Sequence, residues 1–228
     1  MPLIVLRTRR SLCRVLSWHS KGTARLEKTR RQTLSRMEAF PFRAAPQAQP
    51  YDDLGRIPVD VVLDRVRSLY NVGSFFRTAD AAGVTKLYLT GYTGHPPQPG
   101  IVKTALGAEQ TLPWEHHWEA LPLIDALRSG GQQIAVIETS LHAVDVYDWQ
   151  PRFPVTAVFG NEVDGVAPEI SERADLHIRI PTLGRKQSLN VAVAGGVVIY
   201  ELLRKYRLLH QEWRQGMAEN RGRANLLR

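Results

Sequence analysis

The sequence predicts an α/β protein: a mostly parallel sheet with helices on both faces. Three observations carry this. Short β-branched runs alternate with helical segments, the pattern of strands that cross over through helices. Seventeen Gly and fourteen Pro are spread along the chain, which suits many turns and is too little for low complexity. A length of 228 residues with 43% hydrophobic content is enough for one good core. No internal repeat is visible, so one folded domain is expected.

Taken in order, IPVDVVLD (57–64) is a β-branched run suited to a buried strand, and Asn71 to Ala82 reads as a helix. Lys86 to Thr90 is a second strand closed by Gly91. GYTGHPPQPG (91–100) reads as a loop, because three prolines and three glycines oppose helix or central strand. Leu121 to Arg128 is a helix stopped by Gly130 and Gly131. Gln133 to Glu138 and Val155 to Phe159 are further strands, the latter running into the turn GNEVDG (160–165). Ala167 to Arg173 is a short helix with Pro168 in its first turn. Leu176 to Ile180 is a fifth strand, and Ser188 to Tyr206 a long final helix.

The net charge of +8 is unevenly placed. Residues 1–36 hold ten Lys and Arg against Glu27 alone, so the remainder is close to neutral. Three readings of this segment stand: a basic arm that attracts phosphates, an organelle-targeting peptide, or an upstream stretch before a start at Met37. Residues 40–56 read as a linker. A weaker basic cluster lies at Arg204, Lys205, Arg207, Arg214, Arg221, Arg223 and Arg228. The organisation expected is therefore a basic extension and linker (1–56), a folded domain (57–206) and a basic tail (207–228). No apolar run approaches the ~18–20 residues of a membrane span. The single cysteine, Cys13, implies no oxidising compartment. A cytoplasmic protein is expected, or an organellar one if residues 1–36 are a transit peptide.

Three blocks place polar residues where strand-to-helix turns belong, the natural ligand crevice of an open α/β sheet. In NVGSFFRTADAAG (71–83), Asn71 and Ser74 are explicable as caps and Arg77 as a solvated helical residue. In FGNEVDGVAPE (159–169), turn chemistry accounts for Gly160, Gly165 and Asp164 but not for Glu162. In IPTLGRKQSLNVAVAGG (180–196), Ser188 is a possible N-cap. Ala192, Ala194, Gly195 and Gly196 leave a helix without bulk, as if another backbone passed close by. A nicotinamide-binding Rossmann enzyme is excluded, since NVGSFF has one glycine where GxGxxG needs three. His116 and His117 lack partner cysteines, and no metal is expected.

Together, in this order, the blocks resemble the SpoU-type RNA ribose methyltransferases. The match rests on an Asn and an Arg six positions apart, an Asn-Glu after a Gly, and Ser-Leu-Asn; KTALGAE (103–109) is also similar. The resemblance covers about residues 57–206. It implies the SPOUT fold, in which the C-terminal segment threads a deep trefoil knot, and S-adenosylmethionine held in that knot. Carried over, the cofactor contacts are Gly160, Ile180, Ser188 and Leu189, with Thr139 as a further wall. The catalytic residues are Asn71, Arg77, Glu162, Ser188 and Asn190.

The reaction implied is methylation of a ribose 2′-hydroxyl of tRNA or rRNA. A guanidinium hardly ever loses its proton, so Arg77 is expected to clamp phosphate and stabilise the developing alkoxide, with another group or water as base. Glu162 and Asn190 would orient rather than react. The resemblance also implies a homodimer through the knot region, placing Arg77 near the other subunit's cofactor, and RNA as partner, with the basic arm and tail helping to grip it. Two alternatives remain: a non-catalytic RNA-binding protein of the same fold, and a base-methylating SPOUT enzyme.

Overall fold

The structure is a computed structural model that describes residues 55–226, with side chains described to residue 211. The basic segment 1–36, Met37 and most of the linker lie outside the described residues.

Seven strands form one all-parallel sheet: β1 (Ile57–Asp64), β2 (Val84–Thr90), β3 (Trp114–His117), β4 (Gln133–Ile137), β5 (Val144–Asp145), β6 (Val155–Phe159) and β7 (Leu176–Arg179), in the order β3-β2-β1-β6-β4-β7-β5. β1 is an interior strand beside the central β6, with Val61 opposite Leu87 of β2 and Ala157 of β6. The last two long strands, β6 and β7, are each inserted between strands laid down earlier in the chain.

Among the described residues six helices accompany them: α1 (Leu69–Ala82), α2 (Pro99–Ala105), α3 (Ala108–Thr111), α4 (Ala120–Ser129), α5 (Pro168–Ser171) and α6 (Val191–Leu226). They cover both faces. Because side chains alternate along a strand, Val59, Val61 and Leu63 enter one core with Phe75, Phe76, Ile101, Val198 and Leu202. Val62 enters a second core with Leu123, Ile124, Leu127 and Ile170.

Several expectations need correction. The loop 91–100 ends in a helix: Pro99 is tolerated in a first turn, where its missing N–H has no partner to lose. β3 reads WEHH and β5 is two residues long; both are strands through pairing with β2 and β7 rather than through pattern. His116 and His117 thus belong to a strand. The cap of α1 is Ser68, whose hydroxyl accepts from Asn71 N; Ser74 instead donates to the Tyr70 carbonyl. The last helix begins at Val191 and runs to Leu226 without a break at Tyr206. Its cap is Asn190, not Ser188: Asn190 Oδ1 accepts from the N–H groups of Ala192 and Val193.

The small residues of α6 also have a different reason from the one expected. A Cβ on Gly195 would overlap the ring of Phe75, a side chain and not a backbone. A Cβ on Gly196 would meet open space. Phe75 in turn packs edge-on against Phe159, with ring centroids 5.0 Å apart. Gly195 therefore lets α6 lie on α1 directly over β6.

Lys205 is 7% exposed. Its ammonium donates to the carbonyls of Val146 and Tyr147 at 3.0 Å, and to that of Trp149, with Glu201 at 3.4 Å. Arg204 is paired to Glu201 at 2.7–2.8 Å. These two cations of the C-terminal basic cluster are engaged in holding the 144–149 segment and α6.

Candidate donor pocket and the polar relay beside it

A pocket of about 290 Å³ opens at the carboxyl ends of β4, β6 and β7, near the lower end of the range for small-molecule sites. Its apolar walls include Ile137, Phe159, Ile178, Ile180, Leu189 and Val191. All five residues expected at the cofactor, Thr139, Gly160, Ile180, Ser188 and Leu189, line it, as do Glu162 and Asn190. The loop 181–190 along its rim is exposed throughout.

The 160–165 turn forms one wall. Asn161 and Gly165 exchange backbone hydrogen bonds at 3.0 Å. Gly165 has φ 72°, left-handed, where glycine carries no Cβ penalty. Asn161 is 5% exposed and every polar group of its side chain is used. Oδ1 accepts from the N–H groups of Val163 and Asp164; Nδ2 donates to the Arg65 carbonyl and the Tyr92 hydroxyl, both at 2.8 Å. The turn is thereby fixed to the chain leaving β1.

That fixture presents Glu162 to the start of α1. Its carboxylate accepts from the N–H groups of Arg67 (2.9 Å) and Ser68 (3.1 Å) and from Asn71 Nδ2 (2.9 Å). A helix N-terminus offers unpaired N–H groups and a positive dipole end to a carboxylate. Burial acts to raise the Glu162 pKa, but the donors from Arg67, Asn71 and Ser68 outweigh it, and the carboxyl sits below its ordinary value. The turn chemistry that left Glu162 unexplained is answered here: it ties β6 to α1.

Asn71 continues the relay, its Oδ1 accepting from Asn190 Nδ2 at 3.2 Å. Glu162, Asn71 and Asn190 thus form one hydrogen-bonded chain joining the starts of α1 and α6. Asn71 stands behind the pocket rather than lining it. Arg77 is not brought to the pocket within the chain. It is exposed on α1, and its guanidinium has no partner among the described residues.

Two residues of the site were given no role by the sequence. Asn161 belongs to the Asn-Glu motif that carries the resemblance, but only its four side-chain bonds reveal what it does. Glu138 reads as the end of an apolar strand. Its Oε1 accepts from Thr139 N at 3.0 Å and its Oε2 lies 3.4 Å from Val166 N, so it clasps two pocket walls and places a negative charge on the lining. No local signal marks it. Among the described residues, no cluster of His, Cys, Asp and Glu could hold a metal.

Comparison with known proteins gives a consistent picture. A family model described as the SpoU rRNA Methylase family matches residues 58–200. A Streptomyces viridochromogenes protein named 23S rRNA (uridine(2479)-2'-O)-methyltransferase is 33% identical over 177 residues, 74% of this chain and 62% of that protein. An Aquifex aeolicus tRNA (guanosine(18)-2'-O)-methyltransferase is 34% identical over 152 residues, 64% of this chain and 68% of that one. The structure of an AdoMet-bound rRNA methyltransferase from Sinorhizobium meliloti superposes with a TM-score of 0.62 at 31% identity, covering 70% of this chain and 62% of that one. The chain therefore spans less than two thirds of the length of the Streptomyces relative and of the Sinorhizobium structure.

Proposed function

Because the chain belongs to the SpoU rRNA methylase family, we propose that it is an S-adenosylmethionine-dependent methyltransferase acting on a ribose 2′-hydroxyl of tRNA or rRNA. One observation carries the reading: seven of the residues expected at the cofactor or in catalysis converge on a single pocket. Its lining fits the donor. Aliphatic walls suit an adenine ring, and the carboxylates of Glu138 and Glu162 suit a ligand bearing a sulfonium and an ammonium. The bound donor would supply an activated methyl group; everything else falls to positioning.

In this reading Thr139, Gly160, Ile180, Ser188 and Leu189 hold the donor. Glu162, through Asn71, fixes Asn190 at the mouth where the ribose enters. Arg77 acts as a phosphate clamp at the pocket of a second copy of the chain, which its absence from the lining of its own chain's pocket supports. The exposed face of α6, with Val193, Tyr200 and the open space over Gly196, supports a homodimer through this helix. Insertion of β6 and β7 between earlier strands supports the trefoil knot. Residues 1–56 and 207–228, with their excess of Arg and Lys, are read as arms that grip RNA around a domain at 57–206. The single cysteine supports a cytoplasmic setting. No helix among the described residues is long and apolar enough to cross a membrane.

Calorimetric titration with S-adenosylmethionine, followed by mapping of 2′-O-methyl groups in RNA from cells lacking the gene, tests the proposal. Saturable 1:1 binding and the loss of a ribose methyl are expected. Failure of the donor to bind, or an unchanged methylation map, would overturn it.

A further inference from the structure

A second cavity, of about 360 Å³, lies at the same end of the sheet, on the far side of the 160–167 segment from the donor pocket. It is built from the ends of β1, β2 and β3 and the start of α5. The proposed function leaves it without a role.

Its arginine is held in place while two of its carboxylates are left without partners among the described residues. Arg65 has φ 54°, a left-handed conformation that strains a non-glycine residue and is typical of functional positions. Its stem lies on Gly91, where a Cβ would come within 2.9 Å of Arg65 Cγ. Its Nε donates at 3.0 Å to Asp64, whose side chain is 3% exposed. The fork is thus fixed, while its two terminal nitrogens have no hydrogen-bond partner among the described residues. Trp118 also lines the cavity, 77% exposed yet held edge-on by His116 at a centroid distance of 4.9 Å. Glu119 and Glu169 line it as well, and neither carboxylate has a hydrogen-bond or ion-pair partner among the described residues.

Such a set selects its ligand. Two free carboxylates repel phosphate, so the fork is not a phosphate site. An exposed indole stacks on a flat π-face. A fixed guanidinium takes two adjacent acceptors, as on the O6/N7 edge of guanine. Carboxylates take N–H donors, which guanine carries at N1 and N2. Adenine presents no such acceptor pair, cytosine pairs acceptors at O2 and N3 but carries donors at N4 alone, and uracil offers one N–H to two carboxylates.

Resting on the proposed function, we infer that this cavity is a base-reading subsite for an unpaired guanine of the RNA, with Trp118 as the stacking platform, Arg65 on O6 and N7, and Glu119 and Glu169 on the N–H edge. It adjoins the donor pocket through one rigid element: Asn161 binds the Arg65 carbonyl while its neighbour Glu162 lines that pocket.

The test uses the full chain and single-stranded pentanucleotides of uridine with G, A, C or U at the centre, followed by tryptophan quenching and anisotropy. The guanine oligonucleotide should bind about tenfold more tightly than the others. That preference should vanish in Trp118→Ala and in Arg65→Asn, a change that keeps a residue tolerant of positive φ. Donor affinity, measured on the same preparations, should stay within twofold of the parent. Equal affinity for all four oligonucleotides, binding of none, or a preference that survives both substitutions would overturn the inference. Loss of donor binding by the parent chain would instead count against the proposed function.

Discussion

Asn190 donates its side-chain Nδ2 to Oδ1 of Asn71 at 3.2 Å, joining positions 119 apart in the chain at the starts of α6 and α1. Each amide also makes a second connection, since Asn71 binds Glu162 and Asn190 caps α6. Removing either should therefore disturb the same unit. Asn71→Ala and Asn190→Ala are each expected to lower kcat/KM for RNA methylation by about tenfold to a hundredfold. The double variant should fall well short of the product, because groups in one network are not additive. A double-mutant cycle on kcat/KM checks this; full additivity would mean that the relay is incidental.

The relay has a pH signature. The Glu162 pKa is lowered in the folded chain, so the folded state binds fewer protons there than the unfolded state. Its contribution is fully present above the ordinary carboxyl range and is lost as pH falls through the folded pKa. Glu162→Gln keeps one acceptor but loses the charge, and should cost about 1–3 kcal/mol at neutral pH before discounting for exposure. Urea midpoints from pH 7 downward should converge for parent and variant at the acid end. Parallel curves at every pH would remove the electrostatic part of the explanation.

Much of the fold was legible because β1, β2, β4, β6 and β7 are β-branched or apolar enough to announce themselves. β3 was not, since WEHH owes its strand to pairing with β2, with Leu87 opposite Trp114. The carboxyl-end turns were legible as sites because Glu162 had no structural excuse. Its partners were not, because Arg67 N and Ser68 N lie more than ninety positions away and only tertiary geometry brings them to it. Glu138 was invisible for a related reason: its function is to clasp Thr139 to Val166, a relation between loops that no local pattern encodes.

Arg77 offers a test of assembly. It is exposed and unpartnered among the described residues, so Arg77→Ala should leave the melting temperature nearly unchanged while methyl transfer collapses; Arg77→Lys should also lose most turnover, because an ammonium lacks the fork. If the arginine serves the pocket of a second copy, mixing Arg77→Ala and Asn190→Ala chains rebuilds one intact site in each mixed dimer. Random exchange should then restore about a quarter of parental activity. Mixtures no more active than their components would show that Arg77 works within its own chain.

Lys205 should matter for stability. Its ammonium is buried against three carbonyls and Glu201. Lys205→Met fills similar volume but leaves those acceptors and the Glu201 carboxylate without it, which should cost about 3–5 kcal/mol. Thermal unfolding measures this directly. A loss under about 1 kcal/mol would mean that water replaces the ammonium at little cost.

Gly195 and Gly196 are adjacent in α6, and nothing in the sequence distinguishes them. The structure separates them. A side chain at Gly195 collides with the Phe75 ring, which is itself 1% exposed and wedged against Phe159, so it has nowhere to go. Gly195→Ala should therefore destabilise by about 1–3 kcal/mol through overpacking, despite the better helix propensity of alanine. At Gly196 a methyl group meets open space in the single chain. There the propensity term should act alone, and Gly196→Ala should stabilise the monomer by up to about 1 kcal/mol. The proposed dimer adds a further consequence, since that open space lies on the face read as the subunit contact. A Gly196→Leu chain should keep its fold while losing its dimer, which sedimentation would show as a halved mass. If Gly196→Leu remains dimeric, the contact between subunits lies elsewhere.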